Sequence, residues 1–216
     1  MKVHFFWLVM FVVTLAPAMA QQHPINISAK ANANWCTGSP INCATMPFGT
    51  QHYDGVTFQI PGTSTTHNAW FADVAASFGS SKVSITIPVN IANVKTVYTL
   101  MNTDWGSTAK GLLSITFTGT NGATWTYDPI GNLNVRDYNN GSYTNGIACA
   151  LPNGPETTAT VTAFKNNKGQ RLDMQIYQLP VTFAGQTLVS ITITDTGNQG
   201  VQRAILAALT VSTAAP

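Results

Sequence analysis

The sequence predicts an all-β protein, an antiparallel β-sandwich with a jelly-roll-like arrangement. Apolar and polar residues alternate over about ten short segments, which follow one another at intervals of roughly 8–20 residues. No window of ten or more residues carries a convincing helical stripe of apolar side chains. The 216 residues also contain no internal repeat and no linker, so we expect one sandwich domain.

The N-terminus has the features of a secretory signal peptide. Lys2 precedes an apolar run over 5–15, and Ala18 and Ala20 occupy the −3 and −1 positions of a cleavage site. The run is too short to span a membrane. We therefore expect a signal peptide over 1–20 and a secreted protein, extracellular or periplasmic. The polar, proline-containing residues 21–50 are predicted to form an N-terminal arm or loop, and 51–216 the single β-sandwich domain.

Alternation locates the strands of this domain. One side of the first strand is expected to carry Val56, Phe58 and Ile60. The same pattern recurs over 83–87, where Pro88 is expected to end the strand, and over 113–117, 159–163, 171–178, 187–194 and 204–211. Residues 94–101 are apolar at both parities in places, which is typical of a central strand. Residues 68–76 fit either a strand or a helical turn.

A hairpin is predicted at Asn121-Gly122, because both residues tolerate positive φ. Its return strand places Trp125 and Tyr127 on one face, where burial in the core is the favoured interpretation. The alternation continues through Leu133 and Val135 before a loop over 138–145.

The sequence contains three cysteines, which export would expose to an oxidising compartment. Cys36 and Cys43 lie close together in a loop, and a disulfide between them is the simplest pairing. Cys149 would then be a free thiol. The alternative bridges Cys149 to Cys36 or to Cys43, and the odd number leaves the choice open.

Charge and motifs exclude several functions. Without Lys2, nine basic residues face eight acidic ones, so no basic surface for nucleic acid or for anionic lipid is expected. Glycoside hydrolysis usually needs two carboxylates, yet Glu156 is the only glutamate and the seven aspartates are scattered. The G-x-S-x-G, H-E-x-x-H and P-loop motifs are absent. An enzyme is therefore disfavoured, although a site assembled from distant residues stays open.

Two loops combine aromatic rings with the polar side chains that bind sugar hydroxyls, and loops on a rigid scaffold commonly carry recognition. The candidate ligand-binding residues are Asn102, Asp104 and Trp105 in the first loop, and Arg136, Asp137, Tyr138, Tyr143 and Asn145 in the second. Trp105 could instead close one end of the core. Arg136 and Asp137 could form a structural ion pair. Tyr138 and Tyr143, flanked by Asn and Gly, are expected to be the exposed aromatic residues.

No catalytic cofactor is expected, and the mature histidines have no zinc-ligand spacing. A structural calcium ion is left open, because Asp and Asn oxygens suit a hard cation. Candidate ligands lie at Asp54-Gly55, over 137–140 and over 195–198. Turn residues that bond their own backbone explain the same sequences without a metal.

The segments VYTLMNTDWG, ITFTGTNGATWTY, NLNVRDYNNGSYTN and SITITDTGNQGVQRAILAALTV resemble jelly-roll modules of exported microbial proteins, including carbohydrate-binding modules. The resemblance rests on the pattern of strands and implies no particular ligand residues. It favours a secreted, non-catalytic domain that binds a glycan or a cell-surface polysaccharide.

Two alternatives belong to other classes. One is a structural or adhesive protein that assembles into homo-oligomers by strand exchange through the N-terminal arm. The other is a polysaccharide hydrolase or lyase with a dispersed site.

Overall fold

The strands account for most of the structure, a computed structural model that describes residues 21–34, 46–62, 66–72, 82–139, 144–148, 158–196 and 202–213. The strands are β1 (Gln22–Ile25), β2 (Gly49–Tyr53), β3 (Val56–Ile60), β4 (Trp70–Phe71), β5 (Val83–Ala92), β6 (Thr96–Asp104), β7 (Leu113–Gly119), β8 (Thr124–Tyr127), β9 (Thr158–Lys165), β10 (Arg171–Gln178), β11 (Thr187–Asp195) and β12 (Arg203–Ser212). In these ranges the helical elements are short 3-10 turns at Ser28–Lys30, Thr120–Gly122 and Val181–Phe183.

Two antiparallel sheets form the body of the sandwich. The six-stranded sheet has the order β1-β12-β6-β10-β9, with β4 also paired to β12, and the four-stranded sheet has the order β5-β11-β7-β8. From β4 onward the chain crosses repeatedly between the sheets, so that β12 lies between β4 and β6 while β11 lies between β5 and β7. This interleaving is that of a jelly roll. The predicted fold class is therefore confirmed.

The first core lies between the two sheets. Alternation turns Ile115 and Phe117 of β7 inward, where they join Val97 of β6 and Leu209 of β12 in one buried cluster. Trp125 stacks on Phe117 with ring centroids 5.1 Å apart. Both Trp125 and Tyr127 pack against this cluster, as the sequence predicted.

A second core covers the opposite face of the six-stranded sheet. The β2–β3 hairpin lies across this face, and Phe58 and Ile60 pack against Leu100 and Met174. The Thr210 hydroxyl donates a 2.6 Å hydrogen bond to the carbonyl of Thr57 on the hairpin. Every residue of β6 and β12 is consequently buried. Residues 94–101 are apolar on both faces in places because β6 lies between the two cores.

The structure departs from the predicted strands at Pro88, over 130–135 and at the N-terminus, where β1 and the start of β2 lie in the predicted arm or loop. β5 continues through Pro88 to Ala92, because β5 is an edge strand whose single neighbour β11 is irregular at Leu188/Ser190. Residues 130–135 form a tight turn rather than a strand, with the amide of Asn134 bonded to the carbonyl of Ile130 at 3.1 Å. At the N-terminus, β1 pairs in register with the end of β12.

Candidate functional site

Most of the predicted ligand-binding residues meet at one end of the six-stranded sheet. β6 ends there, and its antiparallel neighbours β10 and β12 begin there. Residues 136–138 lie beside this end, since Asp137 bridges to Thr103. Polar side chains from these segments are linked by hydrogen bonds and, between Asp104 and Asp137, by charge; we call them the end network: Asn102, Asp104, Arg136, Asp137, Asn145, Arg171, Asp173 and Arg203.

Arg136 makes its ion pair with Asp173, thirty-seven residues away, and not with its neighbour Asp137. Its Nε and Nη2 donate to the two carboxylate oxygens of Asp173 at 2.8 and 2.7 Å. Asn102 completes the pair, because its Nδ2 donates to Asp173 at 2.7 Å and its Oδ1 accepts the Asp173 amide at 3.0 Å. The Asp173 side chain is 0% exposed and that of Arg136 is 12% exposed. The polar atoms of Arg136 and Asn102 are therefore engaged within the protein.

Asp137 is buried and binds the backbone on both sides. One carboxylate oxygen accepts the Trp105 amide at 2.9 Å, and the other accepts the Asn139 amide at 2.6 Å. Burial, with a smaller contribution from the nearby Asp104 carboxylate, raises the pKa of Asp137 to about 6, although these two hydrogen bonds and the charge of Arg171 lower it. Asp137 thus fixes the position of the chain at Trp105.

Asp104 forms a second buried ion pair, with Arg203 at the start of β12. Burial raises the pKa of Asp104, and the charge and hydrogen bond of Arg203 oppose that rise. The guanidinium of Arg203 also lies 4.7 Å from the centroid of the Phe71 ring, a favourable arrangement of a cation over an aromatic face. This pair joins the end of β6 to β12 directly before Trp105.

Trp105 has a backbone conformation that bulky residues rarely adopt. Its φ of 55° lies in the left-handed region. Such a conformation costs roughly 1–3 kcal/mol and persists only where the surroundings enforce it. Here the hydrogen bond to Asp137 and the adjoining Asp104–Arg203 pair enforce it. The indole remains partly exposed at the end of the sandwich.

Gly106 allows the chain to pass close to the network after Trp105. A Cβ at this position would lie 2.6 Å from Oγ1 of Thr103 and would also overlap the hydroxyl of Thr144. Only a glycine fits there without displacing its neighbours. Residues 104–106 are therefore fixed by Arg203 and Asp137 and by the close packing of Thr103 and Thr144 against Gly106.

The remaining residues of the second predicted loop have different positions. Asn145 accepts a 2.6 Å hydrogen bond from Nη2 of Arg171 through its side-chain oxygen and is partly exposed. Tyr138 is 7% exposed and packs in the second core, so the expectation that it is an exposed aromatic residue is wrong. Its amide bonds to the carbonyl of Thr103, which draws it inward. Tyr143 lies outside the described residues.

The network contains three charged residues that the sequence prediction missed, namely Arg171, Asp173 and Arg203. All three lie on strands, whereas the prediction considered only loops. One signal was present: Arg171 and Asp173 alternate with Leu172 and Met174 on a strand whose apolar residues require burial. A charged residue on a strand buried on both faces needs a partner of opposite charge.

A groove lies on the outer face of the six-stranded sheet, beside the turn of the β2–β3 hairpin. Its volume is about 250 Å³. Val161, Met174 and Ile176 supply apolar surface, while Tyr98 and the exposed Asp54 supply polar atoms. Apolar and polar groups thus converge on an open surface at this groove as well.

The described residues contain no group of three or more His, Cys, Asp or Glu side chains that could hold a metal ion. Of the candidate calcium ligands, Asp54 lies in the β2–β3 turn with a φ of 48°, and Asp195 is buried and accepts the Ala204 amide at 2.7 Å. These contacts are those of turn and structural residues. The structural calcium stays a prediction, and the three cysteines lie outside the described residues.

Comparison with models of known protein families, with curated proteins and with solved structures finds no match. Among the described residues, no helix is long and apolar enough to cross a membrane.

Proposed function

We propose that this protein is a secreted, non-catalytic domain that binds extracellular carbohydrate through the end of the sandwich at Trp105. The single observation that carries the proposal is the left-handed backbone of Trp105, which the buried Asp137 holds in place. Backbone strain of this kind clusters at functional sites, where the surrounding structure offsets its cost. A partly exposed indole on a backbone that is fixed in this way offers a flat apolar face to a sugar ring.

The same geometry supports an assignment of the polar part of the site. Asn145 is partly exposed at this end, and its amide is fixed by Arg171. Asn102, Asp104, Arg136 and Asp137 are buried or bonded to protein groups, so we assign them the positioning of Trp105 and Asn145 rather than direct contact with ligand.

A pull-down on insoluble cellulose, chitin and xylan, together with a glycan array, tests the proposal with the mature chain. We expect the protein to bind at least one glycan, and Trp105→Ala to reduce the bound fraction at least tenfold. Trp105→Phe is the matched variant, because it keeps an aromatic face and should retain most of the binding. An absence of binding across the panel would contradict the proposal.

The groove beside the hairpin provides the internal control for the location. Ile176→Arg would place a charged side chain in that groove without touching the end network. We expect this variant to bind glycan as the wild type does. Loss of binding in Ile176→Arg but not in Trp105→Ala would move the site to the groove.

Assembly through the N-terminal strand is the second candidate function. β1 is a four-residue edge strand that pairs with β12 along Gln22–Ile25. A second copy of the chain could supply the same ladder, which is the geometry of strand exchange. Light scattering coupled to size-exclusion chromatography tests this: concentration-dependent dimers that disappear in a chain starting at 27 support exchange, and a strict monomer contradicts it.

The geometry does not favour a hydrolase or lyase at this end. Asp104 and Asp137 are close enough for the charge of Asp104 to raise the pKa of Asp137, as happens within an acid–base pair of carboxyl groups. Both oxygens of Asp137, however, accept backbone amides, and Asp104 is paired with Arg203. Release of reducing sugar or unsaturated product from the same polysaccharides, abolished by Asp137→Asn, would overturn this interpretation.

A further inference from the structure

The outer face of the four-stranded sheet carries an ordered array of hydroxyl groups. Its central row crosses all four strands through Thr86, Thr192, Thr116 and Thr126, which the strand registers place directly opposite one another. Shorter rows of three hydroxyl groups lie on either side, two residues away along the strands; Pro88 occupies the β5 position beside Ser190. They contain Ser84, Thr194 and Ser114 on one side and Ser190, Thr118 and Thr124 on the other.

Hydrogen bonds between neighbouring strands join several of these side chains in pairs. The Thr86 and Thr192 hydroxyls lie 3.0 Å apart, and those of Thr116 and Thr126 also lie 3.0 Å apart. Ser84 and Thr194 make a third such pair at 2.8 Å. In each pair one hydroxyl donates to the other, so the accepting hydroxyl keeps its own O–H group for an outside partner, and both oxygens keep a free lone pair. The array is thus pre-organised, which reduces the entropy lost on binding.

The chemistry of the face restricts its partner. No row contains an aromatic ring, because Trp125 and Tyr127 point into the core, and a sugar ring would therefore find no flat apolar surface there. The rows are also uncharged; Lys82 and Asp128 lie beyond the strand ends. A charged polymer or an anionic membrane is disfavoured for this reason.

The spacings of the array are those of a regular sheet. Neighbouring strands lie about 4.8 Å apart, and same-face residues along a strand repeat at about 6.8 Å. The strand spacing is close to one of the oxygen repeat distances on the prism faces of hexagonal ice. Threonine adds a methyl group beside each hydroxyl, so the face can order water as well as bond to it.

We propose that this face binds the surface of ice, with Thr192 and Thr116 on the two central strands at the centre of the contact. Sheets twist by about 20° from strand to strand. The match to a flat crystal is consequently best over β11 and β7 and falls off toward β5 and β8. This inference is independent of the carbohydrate site, which lies at the end of the other sheet.

The test is the partition of the fluorescently labelled mature chain between slowly growing ice and the remaining liquid. We expect several-fold enrichment in the ice over a labelled protein that does not bind ice. Thr192→Tyr, whose ring would stand out of the array, should return the partition to background. Thr50→Tyr places the same ring on an exposed threonine of β2 and should leave the enrichment unchanged.

Two results would overturn the proposal. One is exclusion of the wild type from ice to the same extent as the control protein. The other is equal enrichment of the wild type and Thr192→Tyr, with circular dichroism showing both folded. If the wild type is excluded from ice but binds microcrystalline cellulose or chitin in a manner that Thr192→Tyr abolishes, the face belongs to a crystalline glycan instead. If Trp105→Ala loses glycan binding and Thr192→Tyr keeps it, the result concerns the carbohydrate site and not this face.

Discussion

The two sheets of the sandwich differ in where they keep their polar side chains. In the four-stranded sheet, Ser and Thr face solvent and bond to one another across strands, as Thr86 does to Thr192. In the six-stranded sheet the β2–β3 hairpin covers the outer face, so that polar residues of the central strands are buried. There Arg136 and Asn102 both bond to the buried carboxylate of Asp173.

This difference sets how much each polar group contributes to stability. A hydroxyl on the open face can exchange its partner for water, and its removal costs little. A buried charge cannot do so, and removal of its partner leaves it uncompensated. The six-stranded sheet should therefore be sensitive to polar substitutions and the four-stranded sheet tolerant of them.

The largest effect is expected for Asp173→Ala. It leaves the mostly buried Arg136 without its carboxylate and Asn102 without its acceptor, at a cost of about 3–5 kcal/mol in the free energy of unfolding. Urea denaturation followed by circular dichroism measures this. Thr192→Ala on the open face is the matched control and should change the free energy by less than about 0.5 kcal/mol. If both variants lower the free energy of unfolding by similar amounts, the proposed difference in sensitivity between the two sheets is wrong.

The next effect is a pH dependence that originates at Asp137. Because its pKa rises from 3.8 when unfolded to about 6 when folded, the folded state binds the proton more tightly. Its contribution is therefore fully present below about pH 4 and is lost as the pH rises to about 6, by up to about 3 kcal/mol. Asp104, whose pKa is also raised, acts in the same direction.

Asp137→Asn should flatten this slope. Urea denaturation at several pH values between about 4 and 7 compares the variant with the wild type. At neutral pH the variant is stabilised because it has no buried charge at this position, and it is destabilised because one backbone amide loses its acceptor. A wild-type stability that increases steadily with pH across this window would contradict the account of Asp137.

A smaller effect is expected for Gly106→Ala. The added Cβ overlaps the hydroxyls of Thr103 and Thr144, and overpacking of this kind costs about 1–3 kcal/mol. Gly146→Ala is the control at the same end of the sandwich, because its Cβ would meet Asn132 at 3.4 Å or more, an ordinary contact. Thermal unfolding distinguishes them: Gly106→Ala should lower Tm by several degrees more than Gly146→Ala.

The fold could be predicted from the sequence wherever one face of a strand meets water. In β7, Leu113, Ile115 and Phe117 alternate with Ser and Thr, and a shift by one residue would expose all three, so the pattern fixes the face. Asn121-Gly122 was equally informative, because Asn121 has a φ of 54° and Gly122 a φ of 79° in the turn. The prediction that Pro88 ends its strand was wrong, because proline is tolerated within an edge strand such as β5.

Most residues of the candidate site could be predicted from the sequence, but their hydrogen-bond partners could not. Adjacent residues in an extended chain point to opposite sides, so Arg136 and Asp137 turn away from each other. The actual partners are distant: Arg136 bonds to Asp173 and Asp137 to the amide of Trp105. Which distant segments meet depends on the order of strands in the six-stranded sheet, and local periodicity contains no information about that order. The left-handed backbone of Trp105 likewise results from these tertiary contacts.

Trp105→Gly tests the central claim most directly, namely that the end network holds a strained tryptophan for binding. Glycine adopts the left-handed region without cost, so this variant should be more stable than Trp105→Ala by about 1 kcal/mol while it loses glycan binding. Urea denaturation and the polysaccharide pull-down on the same samples give both values. Binding by Trp105→Gly equal to that of the wild type would contradict the claim.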